Sequence, residues 1–348
     1  MPGPGSNSEY GSEPSTGPGN PAAGNEELVL AFLAEAGDEF VSGEAISGKL
    51  GLSRAAVWKH VEALRGHGYR IDAVPARGYR LAAVPDRLTA LELRPLLNTH
   101  DLGQELEAHE ELGSTNDRAK ELAGEGAEHG AVVIAETQTA GRGRRGRTWV
   151  SPPRKNLYFS VVLRPDLSPV RAAELTLVAS IAICEALRHA GVPAGIKWPN
   201  DLYASGKKLG GILTELAADP DRVQWVVVGV GVNVNMRRED FPPELEPIAT
   251  SVAIERGEPA PRALFAAACL TGLEEWLDVH AEQGFEAILD AWRERSVTLG
   301  QPVIVKADEG EYEGVAEDLD PTGALLVRMA DGTVRRFVAG DVTLLRPR

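Results

Sequence analysis

A chain of 348 residues that is 43% hydrophobic has the length for two or three domains and enough apolar material for a proper core. Its formal net charge of −15 excludes a protein that coats nucleic acid over its whole surface, while leaving room for a small basic module. No apolar run reaches membrane-spanning length, and no basic stretch followed by an apolar one opens the chain, so a cytoplasmic protein with no membrane partner is expected.

Residues 1–24 are dominated by Gly, Pro and Ser. They are expected to form a disordered tail, because they cannot bury enough apolar surface to offset their ordering entropy. From residue 25 the pattern turns helical, with Leu28, Phe32 and Ala36 at helical spacing. Ser42 is placed to cap a short helix that ends at Leu50 with Gly51 as its stop. Ser53 caps the next helix, with Val57, Val61 and Leu64 on one face and Gly66 at its end. Two alternating segments, 69–74 and 78–81, flank the turn Pro75-Ala76-Arg77-Gly78.

Three helices and a hairpin over 25–84 predict a winged helix-turn-helix, whose third helix would enter the DNA major groove. Between Gly43 and Ala82, seven Lys or Arg stand against three acidic residues, so this module is basic within an acidic chain. Ser53, Arg54, Lys59, His60 and Arg77 are its candidate DNA-binding residues. The competing reading is a helix-turn-helix used for protein contact.

A connector over 84–101 carries a short helix flanked by Pro85 and Pro95. Strands are then predicted over 131–137, 157–164, 195–198, 208–217 and 224–235, and helices over 116–123, 170–190 and 261–281. They do not alternate strictly, which predicts a mixed or mainly antiparallel sheet with helices on one face, in a domain over 85–297. The last section, 298–348, has short β runs separated by the turn signals Asp320-Pro321-Thr322-Gly323 and Asp331-Gly332. It predicts a small SH3-like β-barrel or sandwich, and the fold class as a whole is α+β. Cys184 and Cys269 are expected as buried reduced thiols, and the seven histidines form no pair at zinc-ligand spacing.

Gly141-Arg142-Gly143-Arg144-Arg145-Gly146-Arg147 sets four guanidinium groups among three glycines. Glycine permits close approach of the backbone to a ligand, and arginine supplies planar donor forks for phosphate. Four like charges predict a loop that is mobile when empty and ordered by a polyanion. By composition alone it could equally be a nucleic-acid-binding arginine-glycine tract. Lys197-Trp198-Pro199-Asn200-Asp201 is expected to end one strand and Lys208-Leu209-Gly210-Gly211 to start the next, across a turn at Ser205-Gly206. Lys208 can stabilise charge developing on a carboxylate or phosphate oxygen. Asp201 can bind Mg²⁺ or a ribose, or simply belong to a turn. Gly113-Ser114-Thr115-Asn116 reads as a helix N-cap that can also offer polar groups to a ligand. The glycines of Gly229-Val230-Gly231-Val232-Asn233-Val234-Asn235 would let a flat ligand approach that strand.

Taken in this order and spacing, these motifs together with Gln138 resemble the biotin–protein ligase family. With the N-terminal winged helix the chain is similar to its bifunctional type, biotin–[acetyl-CoA-carboxylase] ligase and biotin operon repressor. The resemblance covers about 26–348. It implies that biotin and ATP are the substrates, with Mg²⁺, and that biotinyl-5′-AMP forms before biotin passes to a lysine of the biotin carboxyl carrier protein. It implies a biotin site of Ser114, Thr115, Asn116, Gln138, Arg142, Gly143, Arg144, Lys208, Gly211 and Gly231. For ATP and the adenylate it implies Arg142, Arg144, Arg147, Trp149, Asn200, Asp201, Lys208 and Asn233. Lys208 and Arg144 would be catalytic, and Asp201 would lie near Mg²⁺. Operator DNA and an adenylate-bound homodimer are the further expectations. A lipoate or octanoate ligase, a sensing winged-helix transcription factor without ligase activity, and a ligase whose winged helix has lost DNA are the alternatives.

Overall fold

The computed structural model describes residues 24–345, and the tail expected over 1–24 lies, Gly24 apart, outside the described residues. The chain divides into two compact units that meet in sequence at Pro85 and Asp86.

The first unit holds helices α1 (Asn25–Glu35), α2 (Gly43–Leu50) and α3 (Arg54–Gly66), followed by the antiparallel hairpin β1 (Arg70–Val74) and β2 (Gly78–Ala83). Ser42 Oγ accepts from the Ala45 N–H and Ser53 Oγ from the Ala56 N–H, so both predicted caps form. Gly51 ends α2 at φ 66°, a left-handed angle that favours glycine. Val57, Val61 and Leu64 of α3 are buried with Val29, Leu33 and Ile46. Val41 and Tyr79 exchange two backbone hydrogen bonds of 2.8 Å, which lays the segment before α2 beside the hairpin. A Cβ at Gly78 would run into the Val41 carbonyl, so this close approach requires glycine.

The second unit opens with α4 (Ala90–Leu93), then β3 (Leu106–His109), α5 (Thr115–Glu125), β4 (Val132–Ala135), β5 (Leu157–Leu163) and α6 (Glu174–His189). It continues with β6 (Gly195–Lys197), β7 (Asp201–Ala204), β8 (Lys207–Ala218), β9 (Val223–Val232), α7 (Val252–Arg256), α8 (Arg262–Gln283) and α9 (Phe285–Arg295). Seven strands form one sheet in the order β3-β4-β5-β9-β8-β7-β6. Only β3 and β4 run parallel, so the sheet is mixed, as expected.

Several details differ from expectation. Helices cover both faces of the sheet. Val132, Ile134, Val161 and Val228 pack with α6 and α8, while their neighbours Val133, Val162 and Val227 pack with Ala119, Leu122 and Ala123 of α5. Alternation along a strand sends successive side chains to opposite faces, and in these strands both sets are apolar because both faces are covered. The short strands β3 and β7 and helix α9 are also additional, and because of β7 the turn at Ser205 (φ 50°) and Gly206 (φ 73°) joins β7, not β6, to β8.

The chain ends in a five-stranded antiparallel sheet: β10 (Pro302–Ala307), β11 (Gly310–Leu319), β12 (Leu325–Met329), β13 (Val334–Phe337) and β14 (Asp341–Leu344), in the order β13-β12-β11-β10-β14. Its inner residues Val303, Val305, Leu325 and Val327 belong to the same core as α6 and α8. The Trp198 indole N–H donates to the Gly323 carbonyl at 3.1 Å and fastens this sheet to the larger one. Cys184 and Cys269 are free and buried, and burial pushes the Cys184 thiol up to about 11.

Candidate functional site

A cavity of about 480 Å³ lies over the centre of the large sheet. The start of α5, the 141–147 loop, the β6–β7 connection, the glycine-rich parts of β8 and β9, and β14 all contribute to its lining. The sequence motifs thus converge on one place, and the C-terminal sheet, which no motif marked, adds Lys306, Asp341, Val342 and Thr343.

Ser114 is the N-cap residue of α5, but its side chain makes no cap hydrogen bond. Gln138 performs that task instead, its Oε1 accepting from the Thr115 N–H at 2.8 Å. The Ser114 hydroxyl is left lining the cavity. Asn116 is buried and its amide is oriented at both ends. Its Oδ1 accepts from the Ser160 hydroxyl at 2.6 Å, and its Nδ2 donates to Glu215 at 2.8 Å. Burial would raise the Glu215 carboxyl, but Asn116, Lys120 and Arg142 hold it below the usual range. Ser160 and Glu215 were not found from the sequence. A serine inside an apolar strand and a glutamate in a long β run were the available signals.

The 141–147 loop forms a tight hairpin. The Gly143 N–H donates to the Arg147 carbonyl at 2.7 Å, and the Trp149 N–H donates to Gly141 at 2.8 Å. The four arginines do not confront one another as expected, because each has a partner. Arg142 meets Asp117 at 2.6 Å and Glu215 at 3.2 Å; Arg145 meets Asp308 at 2.8 Å; Arg147 pairs with Asp341. Arg144 donates to the Asn200 side-chain amide oxygen, Oδ1, at 3.0 Å, and burial pulls its guanidinium below the ordinary value against the opposing pull of Asp341 and Asp201. Self-repulsion is therefore offset by carboxylates that the sequence places up to about two hundred residues away.

Below the loop, Lys208 Nζ is 2.6 Å from Asp201 Oδ1, and Lys197 Nζ is 3.3 Å from Asp201 Oδ2. Burial alone would raise the Asp201 carboxyl, but the two lysines hold it below its ordinary value. Lys208 also sits 5.5 Å from the centre of the Trp149 ring. Trp149 lies against Gly231, and a Cβ there would approach the indole to 2.9 Å. Its buried Nε1–H has no acceptor among the described residues. A buried donor without an acceptor is uncommon, and this one belongs to a residue of the cavity lining. Asn200 Nδ2 donates to the Ile212 carbonyl at 2.6 Å, and Asn233 Nδ2 to the Thr250 carbonyl at 3.0 Å, so both amides are oriented. Gly211 completes the lining beside Lys208. Among the described residues, no group of three His, Cys, Asp or Glu side chains could hold a metal ion.

In the first unit, Ser53 is spent on capping, while Arg54 and Lys59 are exposed on the outer face of α3. His60 is half-buried. It turns towards α1, its Nδ1 3.8 Å from Glu26, because it lies roughly a hundred degrees of helix away from Lys59. Arg77, at the hairpin turn, lies 4.3 Å over the Phe40 ring. No helix among the described residues is long and apolar enough to cross a membrane.

Comparison with known proteins agrees with this geometry. The Biotin/lipoate A/B protein ligase family matches residues 110–233, an HTH domain matches 25–80, and the Biotin protein ligase C terminal domain matches 298–345. The chain is 39% identical to the bifunctional ligase/repressor BirA of Bacillus subtilis strain 168 over 317 residues, 91% of this chain and 97% of that protein. It is 35% identical to BirA of Escherichia coli K12 over 320 residues, 91% and 96% of the two chains. The biotin protein ligase of Aquifex aeolicus, solved in complex with biotin and ATP, superposes with a TM-score of 0.60 at 30% identity, covering 70% of this chain and 99% of that one. The chain belongs to the biotin protein ligase family, in its form with an N-terminal helix-turn-helix domain.

Proposed function

We propose that this protein joins biotin to ATP, releasing pyrophosphate, and then transfers biotin from biotinyl-5′-AMP to a lysine of the biotin carboxyl carrier protein of acetyl-CoA carboxylase. Its N-terminal module represses biotin-related operons with the adenylate as corepressor. The working modules are 25–84 for operator DNA, 85–297 for catalysis and 298–348 as the C-terminal domain. The observation that carries the ligase reading is the single cavity in which a neutral polar cradle leads to arginines and Lys208. That sequence of groups fits a ligand with a neutral hydrogen-bonding head and an anionic reacting end.

In this reading Ser114, Thr115, Asn116 and Gln138 hold the biotin ureido ring, and Gly211 and Gly231 keep the floor open to it. Arg142, Gly143 and Arg144 cover the carboxylate and phosphate. Arg147, Trp149, Asn200 and Asn233 meet the nucleotide. A biotin carboxylate oxygen attacks the α-phosphorus and pyrophosphate leaves. The carrier lysine amine then attacks the acyl carbon and AMP leaves. Lys208 neutralises charge on the oxygens that bridge carboxyl and phosphoryl groups in both steps. The closed loop keeps water from the mixed anhydride.

Both oxygens of Asp201 are engaged by lysines, which suits a group that positions Lys208 better than a resident Mg²⁺ ligand. We assign Mg²⁺ to the phosphates of ATP, as part of the substrate. An adenylate-bound homodimer would present two α3 helices to two half-sites.

The test is incubation with ATP, labelled biotin and an isolated carrier domain, which is expected to label one lysine. Labelling with lipoate or octanoate but not biotin would move the chain to that branch of the family. Duplex retention without any acid-dependent pyrophosphate release would make it a sensing transcription factor.

Two variants probe the site. A Cβ at Gly229 would fall on the Asn116 amide. Gly229→Ala is expected to weaken biotin binding about tenfold or more, measured by calorimetry. Arg144→Ala opens the loop at Asn200 and is expected to raise the escape of adenylate into solution. An unchanged adenylate dissociation rate would remove Arg144 from the lid.

A further inference from the structure

Helix α3 has an outer face that the ligase chemistry does not use. Arg54, Ala55, Trp58 and Lys59 are all exposed there, and Trp58 is 58% exposed. Tryptophan is enriched at contact surfaces relative to the rest of a protein's exterior. Its surroundings indicate which kind of contact. The three acidic side chains between Gly43 and Ala82 are each taken by an arginine: Glu44 by Arg54, Glu62 by Arg65 and Asp72 by Arg80, all at 2.6 Å. Lys49, Lys59, Arg70 and Arg77 have no acidic partner among the described residues. The module therefore exposes an apolar pair, Ala55 and Trp58, with the unpaired Lys59 next to it on α3, and carries three further unpaired cations, Lys49, Arg70 and Arg77.

A B-DNA major groove has the complementary pattern, with phosphates along both walls and thymine C5-methyl groups on the floor. Trp58 is the fifth residue of α3, within the N-terminal half from which recognition helices reach base edges. We propose that Trp58 is a base-reading residue. Its indole packs on thymine methyl groups in the major groove, while Lys59 and Arg77 hold the flanking phosphates. This rests on the reading of 25–84 as a DNA-binding module. It adds a sequence-determining contact to a set that otherwise contains cap and charge groups.

The experiment uses the full chain with biotin and MgATP. The wild type selects a duplex from a random 40-base-pair pool, and that duplex is then made with thymidine or with deoxyuridine, which lacks only the methyl group. Trp58→Ala is expected to weaken binding to the thymidine duplex about tenfold, with the salt dependence and thermal melt unchanged. Lys59→Ala is expected instead to reduce the salt slope by about one. Replacing thymidine by deoxyuridine should weaken the wild type and leave Trp58→Ala unaffected, and Trp58→Phe should recover part of the penalty. Equal affinity of Trp58→Ala and wild type, or an equal deoxyuridine penalty in both, overturns the proposal. A loss of self-association in Trp58→Ala with the deoxyuridine penalty intact would assign the indole to a second copy of the chain and also overturn it. Failure to enrich any duplex would instead defeat the DNA-binding reading on which the proposal stands.

Discussion

Lys208→Ala should lower the rate of adenylate formation by about a hundred- to a thousandfold while changing biotin affinity only a few-fold, the loss expected when one fixed donor to a developing oxyanion is removed. The split follows from where Lys208 stands. It is at the anionic end of the cavity with Asp201 and Trp149, whereas the neutral cradle of Ser114, Thr115, Asn116 and Gln138 is held by Ser160 and Glu215. Removing the ammonium leaves Asp201 with Lys197 at 3.3 Å, so the buried carboxylate keeps one cation and the fold persists. Single-turnover pyrophosphate release, read beside biotin calorimetry, checks both halves. Equal losses in rate and biotin affinity would move Lys208 from the reacting oxygens to the cradle.

Asp201→Asn offers an internal control. If Asp201 acts through Lys208, the double variant Lys208→Ala/Asp201→Asn should be about as slow as Lys208→Ala alone, because the two groups form one unit. The pH profile carries a sign as well. The Asp201 carboxyl is held below its ordinary value of 3.8, so its ion pairs are intact at neutral pH and are lost only as pH falls below that value. No inflection above about pH 4 should therefore come from this carboxylate.

The elements most legible in the sequence were those whose information is local. Ser42 and Ser53 act within three residues of themselves, Gly51 needs only its own φ, and the period of Val57, Val61 and Leu64 is a property of one helix. The site motifs were legible as chemistry because glycine beside arginine, or lysine after a turn, restricts what a segment can do. What escaped depends on long-range pairing. The strands β3 and β7 have four residues each, too few for a period to register against their polar content. That α5 covers the second face of the sheet follows from Val133, Val162 and Val227 coming side by side, across some ninety residues of chain. Trp58 was visible as a residue, but its exposure depends on which face of α3 the other helices cover. The same holds for the 141–147 loop. Four adjacent arginines read as repulsion until Asp308 and Asp341 arrive from the far end of the sequence.

Arg262 shows this dependence at its strongest. It stands at the start of a helix expected from the sequence, and its side chain has no exposed area in the fold. Its Nε donates to Asp86 at 2.9 Å and its Nη1 to Glu136 at 2.6 Å, while its Nη2 reaches the Asp86 carbonyl at 2.6 Å. Glu136 is itself buried and accepts from the Leu88 N–H at 2.8 Å. One guanidinium thus fastens the first residues of the second unit to the strand end that leads to Gln138, two positions on. Arg262→Ala would strand a buried carboxylate beside Asp86, and breaking such a set by removing one partner costs about 3–5 kcal/mol. A thermal midpoint lowered by about 10 °C is expected. Arg262→Lys should recover little, because an ammonium cannot fill several acceptors with the planar fork. Arg262→Met combined with Glu136→Gln should be milder than Arg262→Ala, since it removes both charges together. If Arg262→Ala melted within 2 °C of wild type, the network would be packing without energetic weight. The Glu136 strand would then have to hold Gln138, and with it the α5 cap, by its ladder alone.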